Sequence, residues 1–216
     1  MAPKIPDIHF IDFEGSTRTG VVEFGITTLR MGRLETTHTR LCGARATLFS
    51  REIEVHGITN NAVEGCEPME NSWELFRSLR ENGLFAAHNH VVENTLINQV
   101  WPHGGIFPSF GDEVDASGWG PWIDTRWLVP NLFRDVASCG LMDLVAQFDL
   151  IETLDHHTCA FCPTDRCQPH CALYDAIASA VLFRHISHME AFETFGINDW
   201  LAHSRPSPNT SQLEFF

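Results

Sequence analysis

The chain has 216 residues, of which 44% are hydrophobic and 19% are charged, as in an ordinary globular protein. Its net charge of −14, from 14 basic and 28 acidic residues, argues against broad, nonspecific binding of duplex nucleic acid. A small site in which bound metal ions supply the positive charge stays compatible with this balance. The sequence lacks an apolar run of about 20 residues and a secretory leader, so we expect a cytoplasmic protein without a membrane partner.

The first predicted strand runs from Ile8 to Gly15 and contains two acids, Asp12 and Glu14, among apolar residues. Side chains alternate between the faces of a strand, so these two carboxylates share one face. Like charges this close repel each other unless a cation lies between them, and oxygen ligands suit a hard ion such as Mg²⁺ or Mn²⁺. The pair alone fits equally a strand end whose acids face water, and that alternative is favoured until partners are found.

Two β-rich runs, 21–29 and 34–42, complete an antiparallel three-stranded meander with the first strand. Helices and strands then alternate, which predicts an α/β fold with a mixed sheet. In order, we predict a helix over 71–81, a strand over 84–88, a helix through 93–100, a Gly-, Pro- and Trp-rich loop over 101–121, a strand ending near 124, helices around 126–133 and 141–148, a Cys/His-rich loop over 155–169, and a long helix over 170–188. We expect one domain over 1–195 and a flexible, Pro/Ser-rich tail over 196–216.

Polar residues at the ends of these elements are candidates for the missing partners. His88 and Asn89 end a predicted strand, and Glu93 lies in the first turn of the following helix. His170 stands at the start of the long helix, with Asp175 five residues later. Taken singly, each has an ordinary explanation, such as helix capping or an acid favoured by the helix dipole.

Together these segments resemble the DEDDh 3′–5′ exonucleases, a family that includes proofreading subunits of bacterial replicative polymerases and RNase T. The resemblance extends over about residues 8–188 and implies a ribonuclease H-like fold, with a three-stranded meander and parallel strands flanked by helices. It rests on the order and spacing of Asp12-Phe13-Glu14, Val22-Glu23-Phe24-Gly25, His56-Gly57-Ile58-Thr59, His88-Asn89 with Glu93, Asp124-Thr125, and His170 with Asp175.

The resemblance implies phosphodiester hydrolysis with two divalent cations, Mg²⁺ or Mn²⁺. Asp12 would bridge both ions, Glu14 and Asp175 would complete the first site, and Glu93 would serve the second. His170 would act as the general base. The chain departs from the family at Glu93, where the second motif has Asp; the longer side chain keeps the charge but changes the geometry of the second site.

The resemblance further implies an enzyme that removes nucleotides from 3′ ends of single-stranded or frayed DNA. An exoribonuclease that trims short RNA is an alternative, and so is a catalytically weak nucleic-acid-binding or clamp-binding module of the same fold. Several relatives are dimers, so a homodimer is also considered.

Residues that follow or end the site strands are candidates for contact with the terminal nucleotide. These are Ser16, Thr17 and Arg18 after the first strand, and His88 with Asn89 at a later strand end. Trp101, Trp119 and Trp122 border the long loop and could stack on bases, although aromatic packing is the favoured use for most of them.

The Cys/His-rich loop contains a Cys-x₂-Cys pair with further Cys and His residues close by. Four of them could form a tetrahedral structural zinc site: His157, Cys159, Cys162 and Cys167. Because the spacing is compressed and matches no common zinc module, reduced thiols in an ordinary loop are an equally good interpretation.

The last five residues, 212–216, resemble the short peptides that dock on bacterial sliding clamps. The side chains that would bind are Gln212, Leu213, Phe215 and Phe216. Tethering by such a peptide would raise the local concentration of a nuclease at replicating DNA. The alternative is a tail that packs on its own domain or on a neighbouring subunit.

Overall fold

The computed structural model describes residues 6–102, 104–111 and 116–206, and a five-stranded sheet lies at the centre of the described chain. The first three strands are β1 (Asp7–Ser16), β2 (Gly20–Arg30) and β3 (Arg33–Leu41), which pair antiparallel as the predicted meander. The strand β4 (Gly83–Ala87) pairs parallel with β1. Two short strands, β5 (Ile106–Phe107) and β6 (Ala116–Ser117), form a separate antiparallel pair.

The strand β7 (Trp122–Asp124) pairs parallel with β4 and completes the central sheet, whose order is β3-β2-β1-β4-β7. The predicted mixed α/β sheet is therefore confirmed. Because β1, β4 and β7 run in the same direction, their carboxyl ends, with the polar residues that follow them, meet at one edge.

Helices cover both faces of the sheet. Their bounds are α1 (Ser50–His56), α2 (Asn60–Val63), α3 (Trp73–Asn82), α4 (His90–Val100), α5 (Thr125–Leu132), α6 (Leu141–Gln147), α7 (Ile151–Phe161), α8 (Ala172–Ser187) and α9 (Ile197–His203). Short 3₁₀ helices lie at Met69–Ser72, Thr164–Arg166 and Glu190–Phe192. Within the described ranges, no helix is both long and apolar enough to cross a bilayer.

Each face of the sheet has its own core. On one face, Ile8 and Phe10 of β1 pack with α8, which is buried along most of its length. On the other face, Ile11 and Phe13 of β1 pack with α3, α4 and the aromatic residues of the long loop. The alternation that was expected for β1 is therefore present, and it places Asp12 and Glu14 on the α8 side.

The segment predicted as a Cys/His-rich loop over 155–169 is partly helical, so that boundary was wrong. The helix α7 continues to Phe161 because Leu154 and Thr158, one helical turn apart, are buried against the core. Only the residues after α7 form the connection to α8.

The tail expected over 196–216 is not flexible at its beginning. Residues Ile197–His203 form α9, and Trp200 is 1% exposed, packed against Phe183 of α8 at 5.0 Å between ring centroids. The polar composition of this segment predicted a flexible tail, but the single large apolar side chain of Trp200 packs in the core and holds the helix in place. The remainder of the predicted tail from residue 207 lies outside the described residues.

Candidate active site

The acids of β1 face the beginning of α8 because one glycine lets the two elements touch. Gly25 of β2 lies opposite Asp12 in the sheet register. A Cβ atom at this glycine would stand 2.1 Å from the backbone nitrogen of Leu173, so only a residue without a side chain fits. The close approach brings Asp175, in the first turn of α8, to the edge where β1 carries its acids.

Three of the predicted site residues form one compact group. Ligand atoms of Glu14, His170 and Asp175 all lie within 4.8 Å of one another. His170 has a positive φ of 62° and an exposed side chain, and its backbone N–H donates to Asp175 Oδ2 at 3.0 Å. This bond fixes the backbone that carries the imidazole while leaving the ring itself open to solvent.

The fourth acid reaches the same region from the neighbouring parallel strand. Glu93 lies in the first turn of α4, directly after β4, and is 3% exposed. Its Oε2 atom has no hydrogen-bond partner within the described chain. A buried carboxylate oxygen without a partner is costly, which makes this atom a candidate ligand for a cation.

The four acids of the site all have pKa values above their ordinary ones. Burial and the charge of Asp175 raise the pKa of Asp12 well above its ordinary value, and burial and the charge of Asp12 do the same to Glu93. Burial and the neighbouring acids raise the pKa of Glu14 to about 10. Burial raises the pKa of Asp175 to about 6, although the His170 N–H and charge oppose the shift. Such acids prefer their neutral form unless a cation balances them.

The residues present therefore fit the predicted divalent cations. The donors are hard carboxylate oxygens gathered on one edge, one of them buried without a partner. Asp12 and Glu93 lie outside the compact group, but their raised pKa values link them to it through charge.

Two further residues of the site, Glu23 and Arg166, were not predicted. Glu23 of β2 pairs with Glu14 in the sheet register, is 3% exposed, and forms a bidentate ion pair with Arg166. Like Asp12 and Glu14, Glu23 is an acid in an apolar strand, and it belongs to the motif Val22-Glu23-Phe24-Gly25 of the resemblance, which gave it no role in the site. Arg166 carried none, because only the fold brings it to β2.

Asp124 supports the turn that leads to Glu93. This fully buried acid accepts hydrogen bonds from the backbone N–H groups of Asn89 at 3.0 Å and His90 at 2.9 Å, and it pairs with His90 Nδ1 at 2.6 Å. Asn89 has a φ of 81°, a left-handed conformation that costs energy and needs such support. From the sequence, Asp124 is recognisable only as part of the Asp124-Thr125 motif of the resemblance.

The residues predicted to touch substrate have partners of their own. Ser16 Oγ donates to Glu52 Oε1 at 2.7 Å, and Arg18 pairs with Glu52 Oε2 at 2.6 Å and lies over the ring of Phe49. His88 bonds through Nδ1 to Thr125 Oγ1 and through Nε2 to the Cys139 carbonyl. A direct contact of Ser16, Thr17, Arg18, His88 or Asn89 with a nucleotide stays a prediction.

A groove of about 380 Å³ opens beside Glu14. Its walls include His56 at the end of α1 and two apolar side chains, Phe49 and Val55, which are 60% and 52% exposed. In contrast, Trp119 is 1% exposed and stacks on Phe85, so it packs in the core and offers no face to a base.

The four predicted zinc ligands do not come together in the same way. Within the described ranges, the compact metal-ligating group is the one around His170, and it contains none of His157, Cys159, Cys162 and Cys167. His157 stacks on Phe161, and Cys159 is exposed on α7. Zinc binding by this set stays a prediction, as does clamp binding by residues 212–216, which lie outside the described residues.

Comparison with known proteins adds relatives in sequence. No family model matches the chain. DNA polymerase III PolC-type from Streptococcus thermophilus is 27% identical over 147 residues, which are 68% of this chain and 8% of that protein. The corresponding protein from Streptococcus mutans is 27% identical over 148 residues. The chain thus matches only a small part of these polymerases.

Solved structures resemble the chain over most of its length. An Exonuclease X structure in complex with 5′-overhanging duplex DNA has a TM-score of 0.68 and 17% identity, and it covers 92% of this chain and 99% of its own. The nuclease domain of 3′hExo, a DEDDh family member bound to rAMP, has a TM-score of 0.63 and 16% identity, with coverages of 89% and 96%. The predicted ribonuclease H-like fold and the resemblance to DEDDh exonucleases are confirmed.

Proposed function

We propose that this chain is a metal-dependent 3′–5′ exonuclease that removes nucleotides from the 3′ ends of single-stranded or frayed DNA by phosphodiester hydrolysis. One observation carries the proposal: Glu14, His170 and Asp175 form a compact group, with Asp12 and Glu93 linked to it by charge. The fold is that of solved exonucleases, and the polymerases with matching sequence are DNA enzymes by name.

Two divalent cations suit the acids of this edge. Asp12, Glu14 and Asp175 would hold one, and Asp12 with Glu93 would hold the other. When bound, such ions activate water and neutralise charge on the scissile phosphate and the leaving 3′ oxygen. A structural Zn²⁺ held by the Cys/His residues is a separate and weaker proposal.

His170 would accept a proton from the attacking water. Its ring is exposed at the site edge, close to Glu14 and Asp175, while its backbone is held by Asp175. A neutral imidazole ring can accept a proton, which is the chemistry that a general base needs.

The groove beside Glu14 would receive the terminal nucleotide. The side chain of Val55 and the face of the Phe49 ring that Arg18 does not cover offer an apolar surface for a base, in the groove that Glu14 also lines. The overall negative charge disfavours long contacts with duplex phosphates, which suits an enzyme that engages only an end.

The experiment compares DNA and RNA oligonucleotides labelled at either end, incubated with Mg²⁺ or Mn²⁺ and the wild-type protein, Asp12→Ala or His170→Ala. Stepwise shortening from the 3′ end that is lost in Asp12→Ala and falls to a small residual rate in His170→Ala supports the proposal. Cleavage by either variant at the wild-type rate contradicts it, because the activity would then arise elsewhere. Faster cleavage of RNA would favour the alternative exoribonuclease, to which the likeness to a 3′-exonuclease that recognises histone mRNA lends support. Binding without cleavage would favour the weak-module alternative.

We also propose two protein partners, a sliding clamp and a second copy of this chain. If the last five residues bind a sliding clamp, removal of 212–216 should abolish clamp binding and leave hydrolysis of short oligonucleotides unchanged. Sedimentation at several concentrations tests the proposed homodimer. A cytoplasmic location stays a prediction.

A further inference from the structure

Arg166 occupies an unusual place in the connection between α7 and α8. It ends the 3₁₀ helix Thr164–Arg166, and its side chain is 15% exposed. It donates from Nε to Glu23 Oε1 at 2.9 Å and from Nη2 to Glu23 Oε2 at 2.5 Å. Two parallel charge-assisted bonds fix both the position and the orientation of the guanidinium.

The other partner of this pair, Glu23, also holds the start of α8. Its Oε2 accepts the backbone N–H of Ala172, the first residue of that helix, at 2.9 Å. Two residues farther along β2, Gly25 lets the helix start lie directly on the strand. The pair therefore joins the sheet to both ends of the segment that carries His170.

The third bond of Arg166 reaches the groove. Its Nη1 donates to the carbonyl oxygen of His56 at 2.6 Å, at the end of α1. One guanidinium thus connects the sheet, one wall of the groove and the segment before α8. His170 lies between these two anchors, with an exposed ring and a positive φ. Its position therefore depends on the bond from its N–H to Asp175 and on how the two ends of its segment are held.

We propose that Arg166, through its pair with Glu23, is a positioning residue that sets the place of the His170 imidazole relative to the groove. The inference rests on the function proposed above. Arg166 would touch neither substrate nor the reacting atoms; it would act through His170. A purely structural role would instead lower stability and affect all steps alike.

The test is a double-mutant cycle on the full chain with Arg166→Lys and His170→Ala. Lysine keeps the charge but cannot form the bidentate pair together with the third bond. Arg166→Lys should lower kcat by about 10- to 100-fold, since a base displaced by about 1 Å loses that much. The KM for a single-stranded oligonucleotide should change by less than about threefold, since ground-state binding is kept.

In the His170→Ala background, Arg166→Lys should lower kcat by less than about twofold more, because two residues that act as a unit give non-additive losses. If the two losses multiply, Arg166 acts independently of His170 and the inference is wrong. If wild type itself fails to shorten 3′ ends, the proposed function fails instead, so the two failures are distinguishable.

A matched control and a second variant secure the interpretation. Arg184→Lys changes a half-buried arginine at the opposite end of α8, where Nε donates to the Gly32 carbonyl, and it should leave kcat within about twofold of wild type. If Arg166→Lys does not fold, as judged by its circular dichroism and melting curve, Glu23→Gln replaces it in the cycle. That variant keeps an acceptor for the Ala172 N–H, and the same non-additivity is expected.

Discussion

Two charged centres of this protein contrast with each other: Arg80 in the helix before β4, and the acids at the carboxyl ends of β1 and β4. Arg80 of α3 is fully buried, and its guanidinium donates to the backbone carbonyl oxygens of Trp119, Gly83, Pro108 and Gly120. Burial lowers its pKa to about 10, so it stays charged at neutral pH.

The acidic centre at the carboxyl ends of the strands is the reverse case. Its acids crowd together, their pKa values are raised by burial and mutual repulsion, and Glu93 Oε2 lacks a partner within the described chain. The charge of Arg80 is satisfied by hydrogen bonds to backbone carbonyl groups, and three of these bonds hold the loop after α4. The acids are charges that the fold leaves unbalanced, as expected where a bound cation is to supply the balance.

The largest effect is expected from Asp12→Asn. The variant removes one charge from the unbalanced centre, so 3′–5′ hydrolysis should fall by about 10³-fold or more while the fold is kept. Rates on a 3′-end assay and a melting curve measure both properties. Because burial and the neighbouring acids already disfavour a charge at Asp12 in metal-free protein, a neutral Asn fits the site, and the melting temperature of the metal-free variant should not fall. A variant that loses activity by unfolding would contradict the contrast between the two centres.

Arg80→Met tests the satisfied centre. The change leaves four carbonyl groups without their donor, two of them in buried hydrogen bonds, and we expect the free energy of unfolding to fall by about 3 kcal/mol. In a chain of this size, that corresponds to a melting temperature lower by roughly 6 to 12 °C. Arg77→Met on the same helix is the control, since Arg77 is 39% exposed and pairs with Glu74 and Glu81 at the helix surface. An equal loss in both variants would show that burial of Arg80 is not the cause.

A pH series sharpens the contrast without any substitution. An acid whose pKa is higher in the folded state than in the unfolded state stays protonated on folding, so the unfolded state binds fewer protons and stability falls as pH rises. For Glu14, raised from 4.5 to about 10, the fall should extend from about pH 4.5 to about pH 10 and so include pH 7 to 8.5, at about 1.4 kcal/mol per pH unit in metal-free protein.

Added Mg²⁺ or Mn²⁺ should therefore raise the melting temperature more at pH 8.5 than at pH 7, as differential scanning fluorimetry can measure. Glu14→Gln should flatten the dependence on pH. Glu64→Gln, an exposed acid at the end of α2, should keep the wild-type slope. A metal-free protein whose stability is constant over this range would refute the raised pKa.

The smallest effect is expected from Glu93→Asp. Both side chains offer a carboxylate, so kcat should change by less than about tenfold, with the difference appearing mainly in the Mg²⁺ concentration that gives half-maximal rate. Glu93→Gln, which has nearly equal size but no charge, should lower kcat by about 10²-fold or more. Equal rates for the Asp and Gln variants would show that Glu93 is not a metal ligand.

The local sequence pattern was sufficient to predict those helices and strands whose apolar residues recur at regular short spacing. The meander, the strand before His88 and the long helix of the second half all follow from apolar periodicity and turn residues. The site residues on β1, α4 and α8 were recognisable because an acid in an apolar strand, or at the start of a helix, is an anomaly that the motif order explains.

Sequence pattern did not predict the helices in which the burial of one or two side chains contributes more to stability than the polar residues around them. The helix α9 depends on Trp200, and the continuation of α7 depends on Leu154 and Thr158. The surrounding Ser, His and Cys residues indicated a loop or tail, but the free energy of burying these side chains decided the outcome. Propensity is a weak prior that tertiary packing overrides.

The sequence alone was thus sufficient to predict that Asp12 and Glu14 belong to the site, and to predict the order of the motifs and the mixed sheet. Only the tertiary structure decided what surrounds that pair. Arg166 meets Glu23 across 143 residues of chain, and Gly25 admits α8 to the strand surface. Contacts between residues so far apart leave no periodic signal in either segment, because they depend on how the elements pack and not on the local conformation of either one.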